Sequence, residues 1–232
     1  INPFQGNMAD ICPVGAITEK EFRFKRRVWK LKKTPSICVG CSTGCNVTIE
    51  YDHNEVFRLK PRDNPEVNKW WMCDQGRLTY KTLNQRENRL GNPLGKTGDG
   101  LQEISWEEAF NAVSEKIKEL QPSSTEVLGL VDTHASNEEL YLFKKLLKQG
   151  FGSDLLCFPE PDWEQPLSDF FIDSLITSDK TPNRAGARLL GLKGEKSVDT
   201  VLPKLTSGVK VLLVLGQPFD VESLQDQAAS IS

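Results

Sequence analysis

Cys38-Val39-Gly40-Cys41-Ser42-Thr43-Gly44-Cys45 places three thiols in one short run, and a fourth follows at Cys73, giving C-x2-C-x3-C-x27-C. A glycine-bearing loop can wrap three thiolates around one face of a metal cluster while a distant segment delivers the fourth, the way Fe–S cubanes are held. Gly40 and Gly44 suit that loop, because backbone N–H groups must turn toward the cluster sulfurs. The spacing predicts a [4Fe–4S] cluster on Cys38, Cys41, Cys45 and Cys73. Structural zinc is one alternative, but zinc sites usually come as two cysteine pairs and the second half here has a single cysteine. Four ordinary core cysteines are the other.

Outward from the loop, Val47, Ile49 and Tyr51 alternate, Asp52-His53-Asn54 makes a turn, and Phe57 and Leu59 alternate again. That pattern predicts a β-hairpin with His53 exposed at its tip, carrying the chain toward Cys73. Trp70 and Trp71 precede Cys73, either as a shield against water or as plain packing. Residues 34–90 are read as the cluster domain.

Upstream, Cys12 lies in DICPVGA. A Cys-Pro step typically ends a ferredoxin-type ligand run, and in two-cluster ferredoxins that cysteine serves a different cluster from its neighbours. A buried free cysteine is the alternative. Eight of residues 20–33 are Lys or Arg, interleaved with Phe22, Phe24, Val28, Trp29 and Leu31. This reads as a solvated extended segment with an apolar underside, or as a docking strip for another subunit.

Downstream, Gly91 to Gly100 (GNPLGKTGDG) reads as a Gly-rich linker near a domain boundary. Its GNPLGKT only imitates a phosphate loop: three residues, not four, precede Gly-Lys, and no strand leads in. From Ile104 the pattern becomes α/β. Ser105 to Glu108 and Ser136 to Glu139 are capping boxes. Apolar residues then recur at helical spacing from Trp106 to Leu120 and from Leu140 to Leu147, with Gly150 as the predicted stop of the second helix. Val127–Val131 and Val209–Leu215 read as buried strands, Leu155–Phe158 as a short strand, and Asn183 to Leu192 as a loop or short helix. Strands alternating with helices predict a parallel sheet covered on both faces. Cys157 reads as a core residue. Neither G-x-G-x-x-G nor G-x-S-x-G follows a strand, so nicotinamide and hydrolase fingerprints are missing.

Composition narrows the classes. Among 232 residues, 29 Lys and Arg stand against 32 Asp and Glu, a net charge of −3. That balance argues against a general nucleic-acid binder. The longest apolar run, Val211–Leu215, is far below the roughly 20 residues of a membrane-spanning helix, which predicts a soluble chain. With only His53 and His134, multi-histidine metal sites are nearly excluded. No secretory signal opens the chain, so a reducing cytoplasm is expected, where clustered thiols serve metal or catalysis. The chain begins at Ile1 and reads as an internal piece.

These segments together resemble a known family, the large iron–sulfur subunit of bacterial NADH:quinone oxidoreductase (respiratory complex I). Residues 2–29 (NPFQGNMADICPVGAITEKEFRFKRRVW) look like the end of its ferredoxin-like region. CVGCSTGC with WMCDQGRLTY resembles the additional tetranuclear cluster motif of some members. ISWEEAF, TPNRAGARLLGL and GVKVLLVLGQP resemble parts of its molybdopterin-oxidoreductase-like region. The resemblance implies an α/β chain in three parts: 1–33 the end of the ferredoxin-like region and a linker, 34–90 a small β-rich [4Fe–4S] domain, and 91–232 part of a parallel-sheet molybdopterin-oxidoreductase-like domain. It implies that Cys38, Cys41, Cys45 and Cys73 ligate one [4Fe–4S] cluster and that Cys12 is the last ligand of a second, whose other ligands lie outside this chain. It implies electron transfer from NADH toward quinone, with no catalytic residue in this chain alone. The expected partners are other peripheral-arm subunits, with no nucleic acid, at the cytoplasmic face of the inner membrane and membrane-associated only through the complex. Formate dehydrogenase-like relatives that keep molybdopterin carry a lysine two residues after the fourth cysteine. Gln75 stands there instead, so no molybdopterin is expected. A formate dehydrogenase-like subunit and a zinc-bearing interaction module remain the alternatives.

Overall fold

The computed structural model describes residues 2–85, 87, 89–98, 100–160, 176–195, 201, 203 and 208–216. They divide into two compact units, one within Ile1–Arg86 and Asp162–Ala185, the other within Glu87–Pro161 and Gly186–Ser232.

The first unit is built on a three-stranded antiparallel sheet of β1 (Lys32–Ile37), β2 (Asn46–Asp52) and β3 (Glu55–Pro61), with β2 in the centre. The predicted hairpin is β2–β3. His53 (φ 48°) and Asn54 (φ 63°) are both left-handed, the two-residue turn that matches strand twist, and the His53 side chain is exposed. β1 has no clear sequence signal because KKTPSI is polar and contains Pro35. At a sheet edge a proline costs no ladder bond. A register shift between Glu50 and Tyr51 breaks the alternation. Val47 and Leu59 still face a core with Met72 and Tyr80, partly buried Ile49 and Val56 packing against it, while Glu50 and Asp52 are buried as well. Glu50 pairs with Arg58 and with Lys33, and the Arg58 guanidinium lies 4.0 Å from the Phe22 ring. Around the sheet sit the short helices α1 (Gly6–Ile11), α2 (Asp74–Arg77) and α3 (Tyr80–Leu83).

In the second unit, GNPLGKTGDG is no shapeless linker. β4 (Leu94–Thr97) and β5 (Gly100–Glu103) pair antiparallel from Leu94↔Glu103 to Thr97↔Gly100. Lys96 therefore lies in a strand, a geometry without a phosphate loop. Beyond it come α4 (Trp106–Leu120), β6 (Val127–Val131), α5 (Asn137–Phe151), β7 (Leu156–Pro159), α6 (Arg184–Leu189), β8 (Lys193–Glu195) and β9 (Val211–Leu215). The strands form a parallel sheet in the order β8-β7-β6-β9. All of β6 is buried. One face packs Val127 and Val131 against Leu140, Leu147 and Ala187 of α5 and α6; the other packs Leu128 and Leu130 with Cys157 and Val201. Both capping boxes form. Three expectations need correcting. α5 runs through Gly150 and stops at Gly152, whose φ of +66° and N–H to the Leu147 and Lys148 carbonyls close the helix. The strand expected buried over Val209–Leu215 is β9, and it is only half-buried, with Leu212 and Val214 exposed; on α4, Trp106, Phe110 and Val113 are exposed as well.

Candidate metal centre

β1 runs into the triple-cysteine loop and β2 runs out of it. Cys38 N–H donates to the Cys45 carbonyl at 2.8 Å and closes the loop's base. Gly44 has φ +64°, a conformation that glycine adopts without strain. Gly40 N–H points at Cys38 Sγ, 3.4 Å away, and a Cβ on Gly40 would stand 3.6 Å from Gly76 Cα. Cys73 is the N-cap of α2, and its sulfur accepts from Gly76 N–H at 3.2 Å. A Cβ on Gly76 would lie 2.9 Å from Cys38 Sγ and 3.3 Å from Cys73 Sγ. Both sulfurs therefore crowd the space that a side chain at Gly76 would fill. Cys38, Cys41, Cys45 and Cys73 are all buried, and all are free thiols.

Electrostatics tie the four together. Burial pushes the Cys38, Cys45 and Cys73 thiols up, Cys45 to about 12. The charge of other members of the quartet raises each further, while the Gly40 and Gly76 N–H groups pull Cys38 and Cys73 back down. Buried thiols that resist ionisation become ligands only when a metal supplies positive charge and takes the place of their protons. An all-sulfur donor set, N–H groups aimed at sulfur and a cradle that a single Cβ would fill suit a [4Fe–4S] cluster. Among the described residues, no three Cys, His, Asp or Glu side chains converge as a single ion requires. A cubane puts one thiolate on each iron and so spreads its ligands more widely.

Polar residues that the spacing does not reveal hold the centre's two halves in place. Asn7, 3% exposed, brackets the Met72 backbone: its Nδ2 donates to the Met72 carbonyl at 2.8 Å and its Oδ1 accepts from Met72 N–H at 3.1 Å. Asp74 accepts from the N–H groups of Gln5 (3.0 Å) and Gly6 (2.8 Å). Buried Arg77 pairs with Asp10 and Glu19, each at 2.7 Å. Asn68, fully buried, accepts from Asn46 N–H at 2.9 Å and donates to the Trp71 carbonyl at 3.1 Å. A segment after residue 175 also reaches the loop: Ser42 N–H donates to the Asp179 carbonyl at 3.0 Å, and Lys180 Nζ lies 3.5 Å from Gln75 Oε1. Gln75 stands where formate dehydrogenase-like relatives carry a lysine, and Lys180, from elsewhere in the chain, lies next to it.

Other expectations find their places. Trp70 is 61% exposed and lines a groove with Trp71, Asn7, Ile11 and Lys60. Met72, buried against Cys38 and Cys45, covers the thiols instead. Cys12 is the C-cap of α1 and not a member of the quartet's packing group. Its sulfur accepts from Ile17 N–H at 3.5 Å. That bond, with smaller contributions from the N–H groups of Ala16, Val14 and Gly15, lowers its thiol pKa against some desolvation. In the basic strip Leu31 is buried and Phe22 packs under Arg58, but Phe24 and Trp29 are exposed beneath the guanidinium groups of Arg23 and Arg27.

Comparison with known proteins agrees with this geometry. Residues 31–85 match the molybdopterin oxidoreductase Fe4S4 domain family, and residues 89–167 the molybdopterin oxidoreductase family. The chain is 41% identical to NADH-quinone oxidoreductase subunit 3 of Thermus thermophilus over 146 residues, covering 62% of this chain and 18% of that protein. With the NADH-ubiquinone oxidoreductase 75 kDa subunit of Reclinomonas americana the identity is 38%, over 62% of this chain and 20% of the relative. With the mitochondrial NADH dehydrogenase [ubiquinone] iron-sulfur protein 1 of Solanum tuberosum the figures are 37%, 66% and 20%. Over 62–66% of its length this chain is similar to these NADH-quinone oxidoreductase subunits. It spans about a fifth of the length of the curated relatives it matches. The Fe4S4 match indicates a [4Fe–4S] cluster. The architecture is the expected one, a small β-rich domain followed by a parallel-sheet α/β region. Among the described residues no helix is long and apolar enough to cross a membrane.

Proposed function

We propose that this chain is an iron–sulfur electron-transfer and scaffold part of an NADH:quinone oxidoreductase, in which Cys38, Cys41, Cys45 and Cys73 hold a [4Fe–4S] cluster. The observation that carries the reading is the glycine cradle: Gly76 and Gly40 leave room beside buried sulfurs, and their N–H groups point at Cys73 and Cys38. When bound, the cluster supplies outer-sphere one-electron transfer between NADH oxidation and quinone reduction. The chain's own residues do the rest. Met72 and Tyr80 exclude water from the sulfurs, the glycine N–H groups stabilise negative charge on them, and Arg77 with Asn7 fixes the fourth ligand's helix. Hydrogen bonding and burial of this kind set the reduction potential. The chain itself performs no bond chemistry.

Three further parts belong to the same reading. Cys12 is the last ligand of a second [4Fe–4S] cluster, supported by the backbone N–H groups that favour its thiolate. Residues 1–33, 34–90 and 91–232 are the ferredoxin-like end, the cluster domain and part of a molybdopterin-oxidoreductase-like domain that carries no molybdopterin. The partners are peripheral-arm subunits on the cytoplasmic face of the inner membrane, supported by the exposed Phe24 and Trp29 of the basic strip.

Anaerobic purification with iron and acid-labile sulfide analysis, followed by low-temperature EPR, tests the reading. Four irons and four sulfides per quartet, lost on Cys41→Ser, are expected. Iron-free protein, or a Cys41→Ser variant that loses nothing, overturns it. Stoichiometric zinc would point to an interaction module, and bound molybdenum or tungsten in the longer protein to a formate dehydrogenase-like subunit.

A further inference from the structure

The loop around Lys180 comes from far along the chain to touch the cysteine loop, and its internal bonding aims one side chain. Ile176, Asp179 and Thr181 are buried. The Asp179 carboxylate accepts from Thr181 N–H at 2.9 Å and from the Thr181 hydroxyl, and it pairs with Arg184 at 2.7 Å. Asp179 N–H donates to Thr177 Oγ1 at 3.1 Å. The Asp179 carbonyl accepts from Ser42 N–H, between Cys41 and Cys45. Bonds on both sides thus hold residue 180, and its ammonium comes to Gln75 Oε1, two residues past Cys73.

We propose that Lys180 sets the reduction potential of the centre, its positive charge holding that potential above the value the cysteine quartet would give alone. The inference rests on the reading that the quartet carries a [4Fe–4S] cluster. The step concerned is the uptake of one electron, supplied by dithionite in the test below; no bond forms or breaks, and the site's negative charge grows by one. A nearby cation stabilises the more negative form in proportion to that added charge, and more strongly where water is partly excluded. Geometry places Lys180 among the cysteine segments: it stands beside Gln75, two residues past Cys73, and its neighbour Asp179 is bonded to Ser42, between Cys41 and Cys45. The opposing charge at this end is Asp74, the residue after Cys73. Its oxygens are taken by the Gln5 and Gly6 N–H groups, so Lys180 is the side of the balance that substitution can reset. Lys180 is a positioning charge and binds neither metal nor substrate.

The test uses the full chain purified without oxygen, as wild type, Lys180→Arg, Lys180→Met and Lys180→Glu. Iron and sulfide are measured first, then midpoint potentials by EPR-monitored titration with dithionite. The expected order is wild type and Lys180→Arg together, Lys180→Met lower, Lys180→Glu lowest, all at equal iron content, with the differences shrinking as salt is raised. Equal potentials in four fully loaded proteins overturn the proposal and leave the cluster reading intact. Loss of iron in Lys180→Met but not in Lys180→Arg marks a merely structural role and also overturns it. A wild-type protein without iron overturns the cluster reading and this one with it.

Discussion

Gly76 shows how much one missing side chain can decide. All four cysteines are buried, and their spacing was legible in the sequence. Gly76, in CDQGR, was not, because its constraint comes from Cys38 across the fold. Adding a methyl group there drives a Cβ to 2.9 Å from Cys38 Sγ and 3.3 Å from Cys73 Sγ. Gly76→Ala is expected to destabilise the domain by about 1–3 kcal/mol, the usual range for overpacking, and to lower its iron content. Thermal unfolding and iron analysis side by side check this, and an unchanged, fully loaded variant would refute it. The tryptophans teach the converse. Trp70 and Trp71 adjoin Cys73 in sequence and so suggest shields, but Trp70 is exposed and Met72 is the residue buried against Cys38 and Cys45.

Among the elements, α5 separates two glycines that pattern alone could not. Gly150 and Gly152 both follow the last apolar repeat, and only the left-handed φ of Gly152 ends the helix. Gly152→Ala is expected to cost about 1 kcal/mol. Gly150→Ala is expected to add up to about 1 kcal/mol, through helix propensity, since its Cβ would meet only Leu146 Cδ1 at 3.6 Å. Opposite shifts in the denaturation midpoint are the signature. The parallel strands offer a pH test. Lys210 at 2.8 Å, then the Ser123 N–H, hold the Glu126 carboxyl down at about 2 from an ordinary 4.5. With the folded value depressed, this carboxylate's contribution to stability is complete above 4.5 and is lost as pH falls toward 2. Glu126→Gln should therefore flatten the acid side of a stability–pH curve and leave the alkaline side alone.

Across the whole chain, the two units have separate cores: Val47, Leu59, Met72 and Tyr80 around the thiols in one, and the residues flanking β6 in the other. The thiol-centred core is small, so a bound cluster is expected to contribute much of its stability. Removing iron with a chelator under reducing conditions should speed amide hydrogen exchange in β2, β3 and α2 and leave β6 protected. Equal protection before and after would show that this unit folds without metal.

The residues alone determined the hairpin with its His53-Asn54 turn, the capping boxes of α4 and α5, and the buried strand β6, because each rests on chemistry within a few positions of the chain. Tertiary structure alone decided which glycine makes room for the sulfurs, that Asn7 and Arg77 lock α2 in place, that β1 is an edge strand, and that Lys180 arrives beside Gln75. These features depend on close approach between segments far apart in sequence, and neither periodicity nor motif spacing carries information about which distant surfaces will meet.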